Sequence, residues 1–189
     1  MEKHNSDDKV FFGFWVYLMT DLLMFAVLFA TFAVLRNNTF GGITIREIFD
    51  PPAVLTETLI LLTSSFVMGL AIVSLNYKKK FFTIFFLILT FILGLMFLEM
   101  EFSEFIHIIE QGYSWQTSAF LSSFFTLVGT HGLHIAVGLI WMGILVAQLL
   151  RRGFTTGNLR KVRLLSMFWH FLDIVWIFIF TIVYLMSGI

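Results

Sequence analysis

Five long apolar stretches dominate the sequence, and each is long enough to cross a lipid bilayer as an α-helix. They cover residues 11–35, 53–77, 81–102, 119–150 and 164–187. A hydrocarbon core of about 30 Å needs about 20 helical residues, whereas a strand of a membrane barrel needs only about 10. The sequence therefore predicts an all-α integral membrane protein with five transmembrane helices, folded as a single domain over residues 1–189.

The composition excludes several other classes of protein. Hydrophobic residues make up 59% of the 189-residue chain and charged residues 13%, whereas soluble domains have about 45–50% and about 25%. The chain has no cysteine, which excludes disulfides, iron–sulfur clusters and thiol catalysis. The formal net charge is zero, so no bulk field favours nucleic acid as a partner.

The positions of the basic residues predict the orientation in the membrane. Ten of the twelve Lys and Arg residues fall on one side of the predicted bilayer, and the other side has only Arg36 and Arg46. Cytoplasmic loops retain positive charge, so we expect the N-terminus inside and the C-terminus outside. The ten inner residues are Lys3, Lys9, Lys78, Lys79, Lys80, Arg151, Arg152, Arg160, Lys161 and Arg163.

Polar residues occur at the predicted mid-depth of three helices. A rise of about 1.5 Å per residue places Asp21, His131, His134 and Asp173 near the membrane midplane, and His170 lies one turn from Asp173. Two interpretations follow. These side chains form hydrogen bonds that join the first, fourth and fifth helices, or they line a path for protons or ions.

Three glutamates fall close to the outer ends of their helices. They are Glu57, Glu99 and Glu101. Ionisable groups cost little near the hydrated headgroups. We therefore expect these outer-face carboxylates to be hydrated and to anchor the helices at the interface.

The histidine pattern disfavours a metal or haem site in this chain. His131 and His134 are three residues apart and share a helix face, but no carboxylate at the expected spacing completes a metal site. A bis-histidine haem needs ligands on two helices at matching depth, and His170 lies several ångströms from the depth of the other two. We expect no catalytic residue, no metal ligand and no bound cofactor.

Small and aromatic residues mark surfaces for helix packing. Gly132 and Ala136 are four residues apart, a spacing that lets helix backbones approach closely. Trp169, Asp173 and Trp176 fall on one stripe of the fifth helix. We assign these small and tryptophan residues to packing or to contacts with lipid or another subunit, together with Trp15 of the first helix.

Four segments in chain order resemble subunit III of haem–copper terminal oxidases. They are 12–21 (FGFWVYLMTD), 98–105 (LEMEFSEF), 124–134 (FFTLVGTHGLH) and 168–176 (FWHFLDIVW). The family's cytochrome c oxidases usually have seven helices in this subunit. This chain has five predicted helices and lacks the first two of the seven. In this it is similar to the short form of the subunit in cytochrome bo-type ubiquinol oxidases.

The resemblance implies a non-catalytic subunit that packs on subunit I, beside subunits II and IV, and holds phospholipid in a cleft between its helices. It implies haem b, haem o and copper in subunit I, in a proton-pumping complex of the bacterial inner membrane that oxidises ubiquinol and reduces oxygen to water. The intramembrane histidines and Asp173 would then form structural hydrogen bonds. Asp21 matches the position of the family's carbodiimide-reactive glutamate.

Two other functions fit parts of the pattern. A stand-alone transporter or channel could use Asp21 and Asp173, although transporters often show internal repeats and broken spans and this chain shows neither. A membrane b-type cytochrome is the second alternative, and the number of histidines disfavours it.

Overall fold

The computed structural model describes residues 2–36, 51–113 and 115–185, and these ranges contain helices and no strand. Each of the five main helices is long and apolar enough to cross a membrane. This confirms the prediction of an all-α chain with five spans. The helices are α1 (Glu2–Leu35), α2 (Pro51–Asn76), α3 (Lys80–Glu110), α4 (Ala119–Arg152) and α5 (Thr156–Ile179), and a π-helical segment (Phe180–Leu185) continues α5.

The helices extend beyond the apolar runs that predicted them. The first apolar run begins at residue 11, whereas α1 begins at Glu2. The last run begins at residue 164, whereas α5 begins after Thr155, whose hydroxyl accepts a hydrogen bond from the Asn158 amide. Such a cap satisfies a free amide of the first helical turn. Arg46 and the last two residues of the final predicted span lie outside the described residues.

The helices form two antiparallel pairs and one additional helix. α2 and α3 pack along each other, as do α4 and α5. The pairs meet where α2 contacts α5 and α3 contacts α4, and α1 packs on α4 and α5. The link between α2 and α3 is tight, with Lys78 in the left-handed backbone region (φ 56°).

One tryptophan of α5 lies where four helices meet. The indole nitrogen of Trp169 donates a hydrogen bond to Ser64 of α2 at 2.8 Å. Its ring lies against Gly94 of α3 and Gly138 of α4, where a Cβ atom would come within 2.8 Å and 3.2 Å of ring carbons. Gly94 therefore leaves room for the ring, and the backbone at Gly138 also lies close to it.

The outward face of α1 is not covered by the other residues that the structure describes. Trp15 is 53% exposed, and other large apolar side chains are exposed along the same helix. Apolar patches of this extent mark contacts with lipid or with another protein. The exposed apolar residues include Phe12, Leu23, Val27 and Val34.

Candidate functional site

The structure divides the mid-depth polar residues into three groups. Asp21 and His134 pair between α1 and α4. His131 stacks on Trp176 between α4 and α5. The remaining two residues, His170 and Asp173, contact α2, a helix to which the sequence assigned no central polar partner.

The Asp21–His134 pair has a defined hydrogen-bond arrangement. Nδ1 of His134 lies 2.7 Å from the Thr130 carbonyl oxygen, and a carbonyl can only accept. Nδ1 therefore carries a proton, which assigns the tautomer. Nε2 then faces Oδ2 of Asp21 at 3.9 Å. This nitrogen can interact favourably with the carboxyl group when a proton lies on one of the two groups.

His131 is enclosed by aromatic rings. Its imidazole is fully buried and stacks on Trp176 with ring centroids 5.3 Å apart. Phe97 contacts both rings edge-on. The Trp176 indole donates a hydrogen bond to the Thr58 hydroxyl of α2 at 3.2 Å. The stack thereby joins helices α2, α3, α4 and α5.

Ser65 of α2 connects the polar residues of α5. Its hydroxyl lies 2.7 Å from Nδ1 of His170, and it also interacts with the carboxyl group of Asp173 one turn away. A hydroxyl can donate one hydrogen bond and accept others, so Ser65 can bond to His170 while it lies near Asp173. Nothing in the sequence distinguishes Ser65 from other serines in apolar runs.

The outer-face carboxylates do not share one environment. Glu99 is exposed, whereas Glu57 and Glu101 are each only 2% exposed. Glu104, one turn after Glu101, lies within electrostatic range of both buried groups. The expectation of hydration is wrong for Glu57 and Glu101, because their helices turn these side chains into the bundle. We call Glu57, Glu101 and Glu104 the carboxyl cluster.

A cavity of about 230 Å³ lies between α3 and α4 beside the carboxyl cluster. Glu101 lines it, and the Glu101 carboxyl group lies against the backbone at Gly132, where a Cβ atom would be 3.0 Å from Oε1. The other lining residues are Leu98, Phe102, Phe105, Gly129, Leu133 and Ala136. The predicted small-residue face of α4 therefore borders this cavity.

The histidines and carboxylates do not gather into a metal-binding group. Within residues 2–36, 51–113 and 115–185, no three or more His, Asp or Glu side chains are arranged to hold a metal ion. His134 and His170 each have a hydrogen-bond partner at one ring nitrogen. His131 is surrounded by rings.

Comparison with known proteins identifies the family. The family Cytochrome c oxidase subunit III matches residues 3–188. The chain belongs to the cytochrome c oxidase subunit III family. With its five membrane-spanning helices, this subunit III homologue is a multi-pass membrane protein.

Relatives of this subunit III chain belong to oxidases with different electron donors. It is 53% identical over 186 residues to cytochrome bo(3) ubiquinol oxidase subunit 3 of Pseudomonas aeruginosa, covering 98% of this chain and 89% of the relative. It is 43% identical to quinol oxidase subunit 3 of Bacillus subtilis, covering 93% and 86%. It is 44% identical to cytochrome c oxidase subunit 3 of Bacillus sp. strain PS3, covering 94% and 86%.

Proposed function

We propose that this chain is the non-catalytic subunit III of a proton-pumping, cytochrome bo-type ubiquinol oxidase. It forms one domain that packs on subunit I, beside subunits II and IV, and holds phospholipid in a cleft between helices. The redox centres, haem b, haem o and copper, belong to subunit I, and this chain supports assembly and stability. The complex lies in the bacterial inner membrane, with the N-terminus of this chain inside and its C-terminus outside.

One comparison carries the choice of a ubiquinol oxidase. The 53% identity to a bo(3) ubiquinol oxidase subunit extends over 98% of the chain, so it includes all five helices. Identity to the two Bacillus relatives is lower, at 44% for the subunit named for cytochrome c oxidase and 43% for the subunit named for quinol oxidase. We therefore choose the electron donor from the relative with 53% identity.

The side-chain contacts support a structural role for the polar residues within the spans. His170 bonds to Ser65, near Asp173, and His134 bonds within α4 and faces Asp21. These contacts join helices, as polar residues commonly do in membranes. The exposed apolar face of α1, with Trp15, is a suitable surface for a larger partner subunit.

Affinity purification of the tagged chain from its native membrane tests this proposal. Solubilisation in mild detergent should recover the chain with a large oxidase subunit and with the visible absorbance of haem. The same membranes without the tag provide the control for proteins that bind the resin nonspecifically.

Two results would contradict the proposal. Recovery of the chain as a homo-oligomer without an oxidase subunit would favour the alternative function, a stand-alone transporter or channel. Haem absorbance that stays with the chain after its separation from the other subunits would place a redox centre in this chain.

A further inference from the structure

Glu101 is a buried acid that lines an apolar cavity. It is 2% exposed, and within the part of the chain that the structure describes neither of its carboxylate oxygens has a hydrogen-bond partner. Phe102 and Leu133 border the cavity and are 59% and 64% exposed. The cavity between α3 and α4 therefore opens on the surface that a membrane would cover.

Among the residues that the structure describes, the ionisable groups around Glu101 do not supply a positive charge. α3 packs on α2 and α4. Glu57 of α2 and Glu104 of α3 are the electrostatic neighbours of Glu101, and both are acidic. Tyr184, at the π-helical end of α5, interacts with all three acids. On α4, His131 precedes Gly132 and is enclosed by aromatic rings.

Burial of several acidic groups close together favours binding of a proton by the carboxyl cluster. An ionised carboxylate removed from water without a partner is so unfavourable that the group takes up a proton instead. Two carboxylates that share a site repel each other, which favours protonation of one of them. One oxygen of Glu57 and one of Glu104 also lack hydrogen-bond partners. The same argument therefore applies to the whole carboxyl cluster.

We propose that the carboxyl cluster is a proton-binding site, and that Glu101 is its protonated member and is reached from the bilayer through the cavity between α3 and α4. The ligand is the proton. Asp21 instead faces His134, whereas Glu101 lies against Gly132. The inference rests on side-chain geometry and does not depend on the proposed function.

An apolar carbodiimide tests both parts of the inference in native membranes that contain the intact complex. Dicyclohexylcarbodiimide takes the proton of a carboxylic acid onto one nitrogen while the carboxylate oxygen adds to its central carbon. The resulting O-acylisourea rearranges to a stable N-acylurea without loss of atoms. The modified peptide therefore gains the whole mass of the reagent, and mass spectrometry locates the modified residue.

The chain offers matched controls for this labelling. We expect label on Glu101 in the native chain, its loss in Glu101→Gln, and no change in Glu99→Gln, which alters an exposed acid of the same helix. Ala136→Phe fills the cavity and should prevent labelling of Glu101. Val137→Phe adds the same bulk at an exposed neighbour that does not line the cavity, and should leave labelling intact.

Infrared spectroscopy of the purified complex tests protonation without the reagent. Glu101→Gln should remove a carbonyl stretch of a protonated carboxylic acid, and Glu99→Gln should not. Loss of carboxylate bands instead would show that Glu101 is ionised and would overturn the proposal. Undiminished labelling of Glu101 in Ala136→Phe would overturn the access route through the cavity. Absence of label on Glu101 in the native chain would overturn this access route as well.

Discussion

Replacing Gly94 with alanine tests whether Trp169 fixes the separation of the helices around it. An added Cβ atom would lie 2.8 Å from Trp169 Cη2 and 2.9 Å from Leu139 Cδ2. Ordinary contact begins at 3.4 Å, so the ring would have to move by about 0.6 Å. The ring has little freedom, because Ser64 accepts its indole hydrogen bond and Gly138 also lies close to its ring carbons.

We expect Gly94→Ala to lower the free energy of unfolding by about 1–3 kcal/mol, the usual cost of an extra methyl group in a packed core. Trp169→Phe removes the ring atoms that would clash with the new methyl group. Gly94→Ala should therefore cost less in the Trp169→Phe background, with a coupling of about 1–2 kcal/mol between the two sites.

The assay is unfolding of the full chain in mixed micelles by a denaturing detergent, followed by circular dichroism. Gly69→Ala is the matched control, because a Cβ atom there meets nothing within 4 Å, and it should change stability by less than about 0.5 kcal/mol. The reasoning is refuted if Gly94→Ala costs the same in both backgrounds.

Three further predictions concern the polar contacts within the spans. Thr58→Val should lower unfolding stability by about 1–3 kcal/mol, because it leaves the Trp176 indole N–H buried without its acceptor; a neutral effect in the same assay would contradict this. Ser65→Ala removes the hydroxyl shared by two polar residues of α5 and should destabilise the chain, whereas Ser65→Thr, which keeps a hydroxyl, should recover part of the loss. Asp21→Asn should leave quinol oxidase turnover of the assembled complex largely intact, because His134 keeps its bond within α4; near-complete loss of turnover would refute the structural role.

Hydropathy predicted the number of helices but not their ends. A run of apolar residues marks the part of a helix that crosses the bilayer, and a helix can continue into polar sequence. α1 therefore begins at Glu2, before its apolar run starts at residue 11. Likewise, Thr155 caps α5, whose apolar run starts only at residue 164. Neither feature alters the apolar run itself.

The sequence predicted how deep each polar residue lies in the membrane, but it did not predict which neighbouring helix its side chain faces. Asp21 and His134 share a depth and do pair. Asp173 shares that depth and instead meets Ser65 of α2, since the direction of a side chain depends on how the helices pack. For the same reason, the sequence could not separate exposed Glu99 from buried Glu101, although the two are only two positions apart on one helix.

We propose that this chain is a structural partner in an oxidase whose redox centres lie in another subunit. Detergent can strip the chain from the purified complex, and the visible spectrum of both fractions then shows where the haem lies. We expect haem absorbance to remain entirely with the residual complex, and we expect this complex to oxidise quinol at first and to lose activity sooner than the intact complex. Haem absorbance in the fraction that contains this chain would show that the chain itself holds a redox centre.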